Sequence, residues 1–218
     1  MIKKDELLFT VDEFNNPIEP KPRNEVHGKG IWHRTTQIWV INDKKQILCQ
    51  RRSLLKDTNP GKWEAFFGGH LAPKQEYLDC ASQELAEELG ITVPKNELHL
   101  FQVHKFPPDK EFQGVFYTRW NGDASSLRLE EEEVDQVKWV DILEIKELIV
   151  EKKDDNWTKW GYEKELLSLN IEEQRRKLAQ VQSALFVEEK RLAVLRQRRD
   201  SVIRSSLRVD KSEVDRCQ

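Results

Sequence analysis

The sequence predicts an α/β fold in which a mixed sheet is covered by helices on both sides. Apolar segments of strand length alternate along the chain with an amphipathic segment at 78–89 and a second helical segment after Asp141. Turn residues separate these segments, and no apolar run approaches the roughly 20 residues that cross a membrane. Interleaved strands and helices of this kind are typical of layered α/β domains.

The N-terminal half contains a series of strands separated by Pro- and Asn-rich turns. Pro20 and Pro22 keep the segment before residue 26 extended, because proline fixes φ and removes a backbone donor. The polar run 42–45 lies between two apolar segments and predicts a β-hairpin. The predicted strands of this half are residues 7–11, 37–41 and 46–50, and residues 63–67 lead into the glycines.

The segment 78–89 predicts an amphipathic helix with an acidic face. Its apolar stripe, with helical spacing, consists of Leu78, Ala81, Leu85 and Leu89. Glu84, Glu87 and Glu88 have the spacing of neighbours on the helix surface. Clustered carboxylates raise one another's pKa unless a cation lies among them, and hard oxygen ligands suit Mg²⁺, Mn²⁺ or Ca²⁺.

The C-terminal half continues the strand pattern and then changes character. Residues 98–103 and 114–118 are predicted to pair around a Pro-Pro-Asp bend, residues 137–140 form a further strand, and Asp141 caps a helix to about Val150. From 171 to 207 the chain lacks Gly and Pro and has an a/d pattern of apolar residues. The sequence therefore predicts a domain at 1–170 and a long helical, coiled-coil-like arm at 171–218 with a frayed end. This arm either folds back on the domain or forms a homodimer through an antiparallel helix pair.

Composition limits the classes of protein. The chain has 218 residues, 34% of them charged, with a net charge of −3, so neither nucleic acid nor a membrane is expected as a partner. The 12 Lys and Arg of residues 171–218, against 8 Asp and Glu, make the arm basic and the domain acidic. Three scattered cysteines and the absence of a signal-peptide pattern predict a cytoplasmic protein with reduced thiols.

The residues from Gly69 to Ile91 resemble the Nudix box, G-x5-E-x7-R-E-U-x-E-E-x-G-U with U aliphatic. The pattern is matched by Gly69, Glu84, Leu85, Glu87, Glu88, Gly90 and Ile91. Gln75 replaces the first Glu and Gln83 replaces the Arg, while Glu76 lies one residue past the expected place. The resemblance covers roughly residues 5–165 and implies a Nudix-like α/β/α sandwich with a mixed sheet, to which the long C-terminal helix is added.

The entry segment 25–34 and the segment 51–63 resemble the Nudix branch that contains isopentenyl-diphosphate isomerase. The resemblance implies that His27, His33 and His70 match three metal-binding histidines, and that Asp109 and Glu111 match an acidic pair. Such a donor set favours Zn²⁺ or Mn²⁺ over Mg²⁺ alone. It also implies that Arg52 and Lys56 bind phosphate. Gly68 stands where the isomerase has its catalytic Cys.

The missing Cys and the retained glutamates favour a metal-dependent hydrolase of a nucleoside or other organic diphosphate, with Mg²⁺ or Mn²⁺ as cofactor. The resemblance implies Glu84, Glu87, Glu88 and His70 as metal ligands, and Arg52, Lys56, Gly68 and Gly69 as substrate-binding residues. Glu111, or one of the glutamates at 130–133, is the candidate base, although the run at 130–133 has the pattern of a solvated turn. Trp32 or Phe67 is a candidate for stacking on a ring of the substrate.

Two alternatives remain open at this point. The histidines and Glu111 favour isopentenyl-diphosphate isomerase activity, which Gly68 opposes because the mechanism needs an acid and a base on opposite faces. Gln75 and Gln83 favour a catalytically weakened domain that acts as a ligand- or protein-binding module. Replacing both charged residues together leaves neither of them buried and unpaired, so the fold need not suffer.

Overall fold

The computed structural model describes residues 6–168 and, beyond them, residues 188, 190–192, 194–196 and 199. The chain divides into two compact units, 1–167 and 168–218. The described residues between 188 and 199 are helical. Most of the predicted arm at 171–218 lies outside the described residues. Within the described part of the chain, no helix is both long and apolar enough to cross a membrane.

The described residues of the first unit, from residue 6 on, contain eight strands and a small number of helices. Its helices are α1 (Arg23–Lys29), α2 (Tyr77–Leu89) and α3 (Ile142–Ile145), and π-helical turns at Lys146–Glu151 extend the last of these. Residues 163–168 are also helical. The strands are β1 (Leu7–Leu8), β2 (Lys21–Pro22), β3 (His33–Ile41), β4 (Gln46–Arg52), β5 (Trp63–Glu64), β6 (His99–Phe106), β7 (Glu111–Arg119) and β8 (Val134–Asp141).

The main sheet is mixed, as the sequence predicts. Its strand order is β5-β4-β3-β7-β6, and β8 pairs with β4. Strands β3 and β7 run parallel over their whole length, from the pair His33↔Glu111 to the pair Ile41↔Arg119. This register places His33 and Glu111 side by side at the same end of the sheet.

The predicted hairpin between β3 and β4 forms, but the two strands separate after one register pair. β3 and β4 share one register pair, Ile41↔Ile47, after which β4 pairs with β8 and β5 instead. The gap beside β3 is filled by residues 67–70, through the bridges Ile38↔Phe67 and Thr35↔His70. The Gly68–Gly69 pair is therefore fixed against the middle of β3 by backbone hydrogen bonds.

Helix α2 packs its predicted apolar stripe onto the sheet. Ala81, Leu85 and Leu89 are fully buried in a cluster that also contains Ile38 and Phe116. Gly90 ends the helix with a left-handed φ of 68°, a conformation that glycine adopts without strain. The helix is thus anchored by its apolar face, which leaves its glutamates to face the glycine pair and the solvent.

Helix α1 corrects the sequence reading, which predicts extended chain before residue 26. Pro22 stands at the N-cap position with φ −61°, Glu25 lies in the first turn, and Gly30 ends the helix with φ 61°. Gly28, inside the helix, gave the segment the pattern of a turn. Two other predictions are confirmed: β6 pairs with β7, and the Asp141 side chain accepts a hydrogen bond from the Leu143 backbone N–H at 2.8 Å. The strand predicted at residues 7–11 is shorter, because β1 contains only Leu7–Leu8 and Thr10 and Val11 form isolated bridges.

Candidate active site

Three histidines from separate segments meet at one end of β3. His27 lies on α1, His33 begins β3, and His70 follows the glycine pair; ring nitrogens of all three lie within 4.8 Å of one another. His33 Nδ1 donates to the Ile31 carbonyl at 2.9 Å, so in the neutral ring Nε2 carries the lone pair. That Nε2 atom is buried and has no hydrogen-bond partner. It is therefore available as a ligand to a cation.

The other two histidines bond to each other. Arg23 Nη1 donates to His70 Nδ1 at 3.1 Å, and because a guanidinium cannot accept, His70 carries its proton on Nε2. This Nε2 lies 3.0 Å from His27 Nε2 and donates to it. Burial lowers the pKa of both His27 and His70, so both rings are neutral at pH 7.

Glu111 lies beside this histidine cluster (His27, His33 and His70). Its Oε1 is 3.7 Å from His33 Nε2, while its Oε2 accepts hydrogen bonds from Thr35 Oγ1 at 3.3 Å and Gln113 Nε2 at 2.8 Å. Burial, followed by the charge of Glu111, raises the pKa of Asp109. The predicted acidic pair thus stands next to the predicted histidines.

Two glutamates of α2, Glu84 and Glu88, lie next to the Gly68–Gly69 pair. Gly68 N–H donates to Glu88 Oε2 at 3.2 Å, and a Cβ at Gly69 would lie 2.5 Å from Glu84 Oε1. Burial, followed by the charges of Glu87 and Glu133, raises the pKa of Glu84 to about 7. Burial and the charge of Glu84 also raise the pKa of Glu88 well above its usual value. Two desolvated carboxylates of this kind are stabilised by a cation.

Glu87 is exposed and ends a chain of side-chain amides. Gln75 Oε1 accepts from the Ala72 backbone N–H at 2.9 Å, and Gln75 Nε2 donates to Gln83 Oε1 at 3.0 Å. Gln83 Nε2 in turn donates to Glu87 Oε1 at 2.7 Å. The two residues that depart from the Nudix box therefore bond to each other as a neutral pair. Glu76, which lies one residue past the position of the first Glu of the box, is the N-cap residue of α2.

A cleft of about 280 Å³ is lined by His27 and His70 of the histidine cluster. Arg52 and Lys56 line it, as do Gly68, Gly69, His70 and Glu111. Arg52 Nη1 donates to Glu64 Oε2 at 2.9 Å, and Glu64 is 1% exposed. Lys56 Nζ forms an ion pair with Glu133. The predicted substrate-binding residues thus share one cleft.

The structure gathers the predicted metal ligands into two groups. His70 belongs with His27 and His33, whereas Glu84 and Glu88 lie behind the glycine pair and Glu87 is exposed. Among the described residues, the histidines are the one set of three or more potential ligands whose donor atoms all lie within 4.8 Å. Phe67 is fully buried, so it cannot stack on a substrate, and its neighbour Phe66 lines the cleft instead.

Several residues of the cleft were not predicted from the sequence. Arg23 and Trp160 line it, and so does Glu64, which holds Arg52. Trp160 Nε1 is buried without a partner. Arg23 lies on α1, where the sequence predicts extended chain. Glu64 and Trp160 have no local pattern that distinguishes them from core residues.

The fold and the cleft together define the class of protein. The model of the NUDIX domain family matches residues 31–161, and the chain belongs to this family. An isopentenyl-diphosphate Δ-isomerase 2 from Photorhabdus laumondii is 30% identical over 160 residues, which are 72% of this chain and 88% of that protein. An uncharacterised Nudix hydrolase from Clostridium acetobutylicum is 31% identical over 188 residues, covering 82% and 87%.

A further relative is similar in sequence, and one solved structure is similar in fold. A prenyl-diphosphate phosphatase from Methanosarcina mazei is 28% identical over 144 residues, covering 64% of this chain and 79% of that protein. The crystal structure of DR0079 from Deinococcus radiodurans has a TM-score of 0.58 at 19% identity and covers 75% and 98% of the two chains. At that identity the likeness concerns the fold alone.

Proposed function

We propose that this Nudix protein is a metal-dependent hydrolase of a nucleoside or other organic diphosphate, in which water attacks at phosphorus. The observation that carries the proposal is the pair formed by half-buried Glu84 and buried Glu88, which lie against Gly68 and Gly69 of the cleft lining. The cleft also contains two cationic side chains suited to phosphate, Arg52 and Lys56. Relatives named as a Nudix hydrolase and a prenyl-diphosphate phosphatase support a hydrolase of this kind.

The residues present fit a divalent cation. Glu84 and Glu88 are desolvated carboxylates whose pKa values are raised, and Gly69 leaves room for one of them because any side chain there would collide with Glu84. We assign Glu84 and Glu88 to Mg²⁺ or Mn²⁺, with Glu87 at the exposed edge. When bound, such an ion neutralises phosphate oxygens and lowers the pKa of a bound water.

The protein's own groups bind and orient the substrate. The Arg52 guanidinium is held in place by Glu64 and offers a planar fork to the distal phosphate, while Lys56 contributes a point charge. Gly68 and Gly69 let the phosphates approach the backbone closely. Glu111, oriented by Thr35 and Gln113, is the candidate base that takes a proton from the attacking water.

The isomerase alternative is supported by the histidine cluster with Glu111 and by the relative of that name. Gly68 opposes it. A Cβ at this position would lie 2.1 Å from the Thr36 carbonyl oxygen, and φ is +144°. A cysteine therefore cannot occupy this place unless β3 or the glycine loop moves. Incubation with isopentenyl diphosphate tests this alternative, and formation of the dimethylallyl isomer would support it.

The binding-module alternative is supported by the neutral chain Gln75–Gln83–Glu87, which replaces charged residues without disturbing α2. The double variant Gln75→Glu, Gln83→Arg tests it. A wild-type protein that is inert beside an active double variant would favour the module. Good turnover by the wild type would exclude it.

A substrate panel tests the hydrolase directly. Nucleotides, nucleotide sugars and prenyl diphosphates are incubated with Mg²⁺ or Mn²⁺, and phosphate or organic phosphate release is measured. We expect Glu88→Gln to lower kcat by at least about 100-fold, the usual size of losing a group that stabilises transition-state charge. Glu147→Gln, at an exposed ion pair on the π-helical turns, is the matched control. Full activity in Glu88→Gln would refute the assignment.

A further inference from the structure

The cleft lining offers very little hydrocarbon surface. Among the described residues that line it there is no Ala, Val, Leu, Ile or Met, and its apolar side chains are those of Phe66, Pro108 and Trp160. Leu54 and Leu55 are exposed, but they lie outside this lining. Burial of a hydrocarbon chain is favourable only against apolar surface, at about 25 cal/mol per Å². The cleft is therefore poorly suited to a diphosphate whose organic group is a hydrocarbon.

Glu64 and Trp160 are brought to this cleft by pairing of their backbone segments. Trp63 N–H donates to the Asn156 carbonyl at 2.8 Å, and Thr158 N–H donates to the Trp63 carbonyl at 3.0 Å. These bonds pair the segment before Trp160 with the residue before Glu64. Both side chains consequently line the cleft, although they are far apart in the sequence.

Trp160 is fixed in place by its backbone and by its ring. Its backbone N–H donates to Glu163 Oε1 at 2.5 Å, and its carbonyl accepts from His104 Nε2 at 3.1 Å. The indole packs edge-to-face on Phe66, with ring centroids 5.7 Å apart, and lies 4.9 Å from the ring of Phe106. The position of the indole is thus set by contacts that do not use its own N–H group.

Two polar atoms of these side chains are buried without a partner. Trp160 Nε1 has no acceptor and Glu64 Oε1 has no donor, although Glu64 is only 1% exposed. A buried polar group without a partner costs about 1–3 kcal/mol. An indole N–H can only donate and a carboxylate can only accept, whereas a hydroxyl group does both. The chemistry that complements the pair is therefore an organic group with hydroxyls.

We propose that the part of the cleft formed by Glu64, Phe66 and Trp160 binds the organic group of the substrate and selects one that carries hydroxyls, such as a sugar, over a prenyl chain. The inference rests on the proposed hydrolase function and deepens it by naming the substrate class. Trp160 Nε1 donates to a hydroxyl oxygen of the ligand, and Glu64 Oε1 accepts from a hydroxyl. A prenyl chain in the same place would cover both atoms and leave them unpaired.

Three diphosphates test the substrate class: uridine diphosphate, a pentose 1-diphosphate and dimethylallyl diphosphate. Each is incubated with the full chain and Mg²⁺, and kcat/KM is measured. We expect the better of the two hydroxylated compounds to exceed dimethylallyl diphosphate by at least about 100-fold, because a site built to bond a hydroxyl rejects an analogue that lacks it. Comparison of the first two compounds shows whether the sugar belongs to a nucleoside. Equal or faster turnover of dimethylallyl diphosphate would overturn the inference.

Trp160→Phe tests the role of the indole N–H, because it keeps an aromatic ring and removes the donor. We expect kcat/KM for the hydroxylated substrate to fall about 10-fold, the size of one hydrogen bond, and that for dimethylallyl diphosphate to change less than about twofold. A purely structural role would lower both values alike. Trp139→Phe is the matched control, since Trp139 stacks on Trp120 outside the cleft lining. An unchanged ratio in Trp160→Phe, at the wild-type melting temperature, would overturn the inference.

Glu64→Gln provides a second variant. It weakens the acceptor and should lower the same ratio of kcat/KM values. Glu64 also bonds to Arg52, but a displaced Arg52 would affect every diphosphate alike and would leave the ratio unchanged. The ratio therefore isolates the contact with the hydroxyl, and its constancy in Glu64→Gln would remove Glu64 from the proposal.

Calorimetric titration without metal, where no turnover occurs, separates this inference from the proposed function. If no diphosphate is hydrolysed but a hydroxylated one binds more tightly than dimethylallyl diphosphate, and Trp160→Phe removes the difference, the proposed function fails and the ligand class stands. If hydrolysis is efficient but dimethylallyl diphosphate is the best substrate, the inference alone is overturned.

Discussion

Gly68 is the residue whose substitution the structure constrains most closely. A Cβ at this position would lie 2.1 Å from the Thr36 carbonyl oxygen and 2.8 Å from the Thr36 carbonyl carbon, both of which are backbone atoms of β3. The main chain is held there by hydrogen bonds from Thr36 N–H to Gly69 at 2.8 Å and from Ile38 N–H to Phe67 at 2.7 Å. Relief of the collision therefore requires the two segments to separate.

The cost of Gly68→Ala has two parts. A φ of +144° is strained for any residue with a side chain, at roughly 1–3 kcal/mol. Separating the segments weakens one or two backbone hydrogen bonds, each contributing about 1 kcal/mol. We expect the free energy of unfolding to fall by about 2–5 kcal/mol, measured by urea denaturation of the full chain.

Gly28→Ala is the matched control. No atom lies within 4 Å of a Cβ at Gly28, which lies inside α1. This substitution should leave the stability unchanged or raise it by up to about 1 kcal/mol, because alanine favours helix more than glycine does. A loss below about 1 kcal/mol for Gly68→Ala would refute the steric argument.

Three further predictions concern charge and assembly. Glu64→Ala should lower the free energy of unfolding by about 3 kcal/mol and raise KM for the diphosphate, because Arg52 loses its buried partner. Urea denaturation and steady-state kinetics measure the two effects, and unchanged values would contradict the role of Glu64 in holding Arg52. The metal-free protein should lose stability as pH rises from 4.5 through about 7, since the raised pKa of Glu84 means that the folded state binds the proton more tightly than the unfolded state. Denaturation at several pH values with a chelator should show this fall in the free energy of unfolding, and Glu84→Gln should reduce it. A rise in the free energy of unfolding over this range would contradict the prediction. The arm at 171–207 should make the protein a dimer, which light scattering on the full chain and on residues 1–170 tests; a monomeric full chain, or a dimeric truncated one, would exclude that role.

Local patterns were sufficient to predict the elements that depend on local spacing. The stripe of Ala81, Leu85 and Leu89 predicts the buried face of α2, and the polar run 42–45 predicts the turn between β3 and β4. The link between Gln75 and Gln83 also follows from the sequence, because each places a neutral amide where one pattern has a charged residue, and the two missing charges are opposite in sign. These features need no knowledge of the rest of the fold.

Features that depend on long-range pairing could not be predicted. The sequence does not show that β4 leaves β3 after Ile47, and so does not show the space that residues 67–70 fill. Glu133 and Lys56 are 77 positions apart, and the run of four glutamates around the former has the same pattern as a solvated turn. Helix α1 was missed because Gly28 and Gly30 resemble a turn, although Gly30 is the helix cap.

Hydrolysis in water enriched in ¹⁸O tests the central claim most directly. A diphosphate that the protein consumes is incubated with Mg²⁺, and the products are analysed by mass spectrometry. We predict one ¹⁸O atom in a phosphorus-containing product and none in an organic alcohol, with the reaction lost on chelation and in Glu88→Gln. Label in the alcohol, or an isomerised diphosphate without phosphate release, would contradict water attack at phosphorus.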